Sequence, residues 1–68
     1  MELEIGLKFK KFNNERNINN IDLCEVRGLV DNFIIILLCK KKDEISFYLM
    51  IDKYDFDFHV KNKVYLAV

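Results

Sequence analysis

Apolar and polar residues alternate with a period of two along most of this chain, and no proline interrupts the pattern. That period puts successive side chains on opposite faces of a strand, whereas a helix needs apolar positions three and four apart. Leu3, Ile5, Leu7 and Phe9 alternate with Glu4, Gly6 and Lys8, which predicts a first strand with one buried face. Residues 13–20, five of them asparagine, read as one long, mobile loop. Five apolar segments follow, 21–30, 33–40, 44–51, 54–60 and 64–68. They are rich in β-branched and aromatic residues and are separated by short polar turns, as strands of a meander are.

The turns predict a register. Asp31-Asn32 suits a two-residue type I′ hairpin, because both residues tolerate positive φ, and it pairs Val30 with Phe33. Asp52-Lys53 read the same way pairs Ile51 with Tyr54, and Lys41-Lys42-Asp43 and Lys61-Asn62-Lys63 read as three-residue turns. In that register one face collects Cys24, Val26, Val30, Phe33, Ile35, Leu37, Cys39, Ile45, Phe47, Leu49 and Ile51. The same face continues through Tyr54, Phe56, Phe58, Val60, Val64, Leu66 and Val68, and no charged residue falls on it. A one-residue slip at any turn would move a whole strand to the other face, so this charge-free face is the expected core. Gly28, in mid-strand, is where a bend or bulge comes most easily. Cys24 and Cys39 fall opposite one another, near enough for a disulfide but expected as two reduced, buried thiols.

At 68 residues the chain is short enough to be read as a single domain over 1–68. With no helix expected to cover the apolar face, the sheet must curl on itself. The expected class is all-β: a five- to six-stranded antiparallel meander forming a strongly coiled sheet or an SH3-like or OB-like barrel.

Charge and cysteine usage narrow the function. Lys+Arg and Asp+Glu are both 11, which argues against nucleic-acid binding through bulk positive charge. The two cysteines lie in no CxxC or Cys/His cluster, so no metal or cofactor is expected. The longest apolar run, 33–39, is far shorter than the ~20 residues a spanning helix needs. Met1-Glu2-Leu3-Glu4 is acidic where a secretory leader would be basic, and the expected location is cytoplasmic. The wealth of Asn, Ile and Lys, residues of A/T-rich codons, points to an AT-rich genome such as a low-GC bacterium or its phage.

The face opposite the core should be polar and is only partly so. Its expected rows run Leu29, Ile34, Met50, Asp55; then Arg27, Ile36, Tyr48, Asp57, Ala67; then Glu25, Leu38, Ser46, His59, Tyr65. Ile34, Ile36, Leu38, Tyr48 and Met50 thereby form an apolar patch rimmed by Arg27, Asp55, Asp57 and His59. Such a patch marks a protein interface, with a partner or with a second copy, unless the Asn-rich loop folds over it with Phe12 and Ile18. Asp55, Asp57 and His59 have metal-ligand chemistry, but alternate strand residues lie ~6.6 Å apart, so a solvated row of charges is expected. No nucleophile is placed for a triad with His59, and enzymatic activity is not expected. The leading expectation is a non-catalytic β module acting by protein–protein contact, such as a small regulator or inhibitor. The alternative is a single-stranded nucleic-acid binder that stacks bases on Tyr48 and Tyr65. Phosphates would then be steered by Lys40, Lys41, Lys42, Lys61 and Lys63.

Overall fold

A computed structural model describes residues 1–12, 21–41 and 45–68. The Asn-rich segment 13–20, with its expected role as a cover, and Lys42 lie outside the described residues. The elements are β1 (Lys8–Phe12), β2 (Ile21–Val30), β3 (Ile34–Lys40), β4 (Ser46–Asp52), α1 (Lys53–Lys61) and β5 (Tyr65–Ala67). The strands form one antiparallel sheet in the order β4-β3-β2-β1-β5, which does not close into a barrel. The small all-β class is as the alternation predicts, with five strands. The sixth expected strand, 54–60, is instead the helix α1.

The helix forms because its ends are capped. Asp52, in extended conformation, accepts a hydrogen bond on its carboxylate from the Asp55 amide at 2.8 Å, and Asp55 adds negative charge to the first turn. At the other end Lys63 adopts φ +60°. Its amide donates to the Val60 carbonyl and the Val64 amide donates to the His59 carbonyl, a Schellman arrangement. Asp52-Lys53 is therefore the start of a helix and not a hairpin turn.

α1 leaves β4 at one edge of the sheet and returns to β5 at the other, crossing the inner face between them. Its one fully buried side chain, Phe56, meets Phe9 edge-to-face at 5.7 Å and Tyr65 at 5.5 Å, while Phe9 and Tyr65 lie 4.7 Å apart. Phe9, Cys24, Val26, Ile35, Leu37, Cys39, Phe56 and Tyr65 are the buried core, flanked by Leu3, Leu7, Leu29, Phe47, Leu49, Ile51, Val60 and Val64.

Two features reset the expected register. Asp31 and Asn32 take φ +52° and +57°, and the Phe33 amide donates to the Val30 carbonyl, as a type I′ turn requires. Strand pairing nevertheless begins one residue later, with Val30 opposite Ile34, and Phe33 is exposed. A bulge between Val26 and Gly28 then restores the register, so Cys24 does face Cys39. Gly28 sits where a Cβ would meet Ile36 Cδ1 at 3.2 Å, which keeps this close strand approach for glycine. The bulge turns Leu29 toward the core and leaves Val30 exposed, reversing the expected faces of the pair. Between β3 and β4 the pairing is shifted by two residues from that expected, with Ile34 opposite Asp52, Ile36 opposite Met50 and Leu38 opposite Tyr48. A two-residue shift preserves facing, so the inner set is unchanged except that Ile45 lies outside the strand and is exposed. In α1 the helical period exposes Tyr54 and Phe58, and β5 points Tyr65 inward with Leu66 and Val68 exposed. The expected first strand is shortened: Glu4 to Leu7 form a turn in which Gly6 has φ +94°, and Ile5 is exposed.

The caps give a direct test. Asp52→Ala should lower stability by about 1 kcal/mol, and Lys63→Gly should raise it by about 1 kcal/mol, because only glycine takes φ near +60° without a steric cost. Urea midpoints at unchanged slope are the measurement; an unaffected midpoint in both variants would mean that 53–61 is not held as this helix.

Candidate functional site

The outer face of the sheet, away from α1, carries the exposed apolar side chains. The register aligns Tyr48, Leu38, Glu25 and Lys8 in one row across β4, β3, β2 and β1. The next row runs Ser46, Lys40, Leu23, Lys10 and Leu66. On the other side of the Tyr48 row, Met50 lies opposite Ile36 and Ile36 opposite Gly28. Tyr48 and Met50 are 66% and 73% exposed, although both sit in mid-strand. Ile34, Ile36, Leu38, Tyr48 and Met50 therefore do share a face, as the alternation predicts, and Arg27 lies exposed in the bulge beside them.

Where the two rows meet, Leu23 and Leu38 lie in a shallow depression of about 290 Å3, with Lys8, Lys40, Glu25 and Val68 around it. The lysines stand on opposite flanks, Lys8 on β1 and Lys40 on β3. Lys8, Lys10 and Lys40 form no ion pair with a described residue. Arg27 is different: its guanidinium donates to Glu25 at 2.8 Å, and that carboxylate raises its pKa. Among the described residues of the Tyr48 and Ser46 rows, the charges without an ion-pair partner are thus those of the three lysines.

The other expected site residues lie elsewhere. Asp55, Asp57 and His59 belong to α1, on the inner side of the sheet, and cannot rim the outer patch. Around a helix Asp55 and His59 share one side and Asp57 points away, so the expected row of three does not exist. Among the described residues no three His, Cys, Asp or Glu side chains gather as a metal site. Tyr65 is buried against Phe9, Phe56 and the His59 ring, with burial pushing its hydroxyl pKa up, and is no platform for a base. Lys40 ends β3 and Lys41 follows it, while Lys61 and Lys63 lie at the end of α1 beyond two intervening strands, so these four lysines do not form one cluster. The sequence reading missed Leu23, Lys8 and Lys10. Leu23 shares the outward parity of Glu25, and Lys8 and Lys10 flank the inward Phe9; what was lacking was the identity of the strand beside β2.

On the inner face Cys24 donates to the Cys39 sulfur at 2.9 Å, and both thiols are free and buried. That donated hydrogen bond and burial push the Cys24 thiol far up, while the bond received favours a thiolate on Cys39. Close by in the sheet, Asp22 lies 4.0 Å from the Lys11 ammonium and is only 2% exposed. Its Oδ2 has no hydrogen-bond partner among the described residues.

No helix among the described residues is long and apolar enough to cross a membrane. Comparison with protein-family models, with characterised proteins and with solved structures gives no match to this chain.

Enclosure, rather than acidity, governs the thiols. N-Ethylmaleimide should therefore leave Cys24 and Cys39 unlabelled in the folded protein and label both in denaturant, read by intact mass. Rapid labelling of either under native conditions would contradict their burial.

Proposed function

We propose that this chain is a non-catalytic β module that binds another protein through the outer face of its sheet, in a role such as a small regulator or inhibitor. The observation that carries this reading is the depression over Leu23 and Leu38 with Lys8 and Lys40 on its flanks. An apolar side chain seated there would lose its contact with water, worth about 1.5–3 kcal/mol for a Leu- or Phe-sized group. The lysines would favour carboxylates on either side of it, so the fitting partner is an acidic segment with an apolar anchor. Ile36, Tyr48 and Met50 extend the contact toward the β4 edge and supply the aromatic and methionine surface that interfaces favour.

A second reading, binding of single-stranded nucleic acid, draws on Tyr48 and the three lysines sharing one face. It is weakened by Glu25, which lies between Tyr48 and Lys8 in their row, and by the burial of Tyr65.

Affinity capture from the native host followed by direct titration tests the proposal. The doubly charge-reversed Lys8→Glu, Lys40→Glu variant should bind the captured protein at least about tenfold more weakly, in line with ion-pair losses at interfaces. Tyr54→Ser on α1 should bind as wild type does. Equal binding by wild type and the charge-reversed variant would reject the outer face as the site. Tight binding of a labelled oligothymidylate, lost steeply with salt and with Tyr48→Ala, would favour the nucleic-acid reading instead.

A further inference from the structure

The two edges of the sheet are unequal. β5 is three residues long, whereas β4 runs seven residues as Ser46-Phe-Tyr-Leu-Met-Ile-Asp52 and, among the described residues, pairs with β3 alone. Proteins protect a sheet edge with lysine, proline, a bulge or brevity, because an open edge offers unpaired backbone N–H and C=O groups to another strand. β4 has none of these: it contains no lysine and no proline, and the sheet's bulge lies in β2. It is also apolar on both faces. Tyr48 and Met50 are exposed outward, and Phe47, Leu49 and Ile51 are only half-buried inward.

We propose that β4 pairs antiparallel with β4 of a second copy of this chain, joining two sheets edge to edge across a twofold axis. The proposal does not rest on the reading of the outer face above. In antiparallel pairing of a strand with itself, the register that uses all seven residues sets Leu49 opposite its own equivalent. Tyr48 then faces Met50 of the second copy, Phe47 faces Ile51, and Ser46 faces Asp52. Each outward residue meets an outward one, as sheet geometry demands. The cross-strand pairs are aromatic with aliphatic, which is the favoured kind. Charge is complementary as well. Lys40 lies opposite Ser46 within one copy, so the same register brings Asp52 of the other copy into the row of Lys40 with only Ser46 between them. A face-to-face dimer centred on the depression would instead bring the lysine-bearing surface of Lys8, Lys10 and Lys40 against the same surface of the second copy, and is disfavoured on that ground.

The test is mass in solution together with amide hydrogen exchange. Light scattering of the wild-type protein over rising concentration should reach twice the 8.2 kDa of one chain. Exchange of β4 amides should slow about tenfold or more over the same range, with β5 amides unaffected. The Tyr48→Lys, Met50→Lys variant changes two exposed side chains, so it should remain at 8.2 kDa and keep the urea midpoint that the wild type shows at concentrations too low for dimerisation. A wild-type protein that stays monomeric at every concentration would overturn the proposal. So would a dimer that survives both lysines, or one whose exchange protection falls outside β4.

Discussion

Phe56 reaches from the middle of α1 onto both Phe9 and Tyr65, and this three-ring contact ties the helix to the β1–β5 side of the sheet. Phe9 lies near the start of β1, Tyr65 begins β5, and Phe56 belongs to the segment that carries the chain from one edge of the sheet to the other. Among the described residues there is one sheet, and no second sheet lies against its apolar inner face. The helix solves that problem with a single fully buried side chain, with Val60 and, just beyond the helix, Val64 packed at the margin. Closure into a barrel is then unnecessary, and both sheet edges persist.

Much of the sheet was legible because period-two alternation is a direct image of strand geometry. Cys24 opposite Cys39, the left-handed turn at Asp31-Asn32 and the irregularity at Gly28 are all present where the sequence indicates them. The helix was hidden by its own composition. Tyr54, Phe56, Phe58 and Val60 alternate with Asp55, Asp57 and His59 as a strand would, and nine residues are too few to show a helical period. Its signals were at the ends, Asp52 three residues before Asp55 and Asn62-Lys63 after the last turn, where side-chain and backbone hydrogen bonds decide the conformation.

The same distinction holds for the candidate site. Ile34, Ile36, Leu38, Tyr48 and Met50 share a face because alternation within strands survives register shifts of two residues. The residues that shape the depression, Lys8 and Leu23 with Leu38 and Lys40, depend on β1 lying beside β2, a pairing that no turn length in the sequence specifies. Asp55, Asp57 and His59 left the outer face for the plain reason that their segment left the sheet.

The β4–α1–β5 crossing also bears on the order in which the molecule assembles. β2, β3 and β4 are successive neighbours joined by short connections, so their pairing closes small loops. Pairing β1 with β5 brings Phe9 to Ala67 and requires the α1 segment to span the sheet between them. Contacts between such distant residues form slowly relative to local ones. Any chain in which β2, β3 and β4 have paired before α1 docks displays the β4 edge and an uncovered inner face together. The rate at which α1 docks then sets how long that edge and that face are exposed together to other chains.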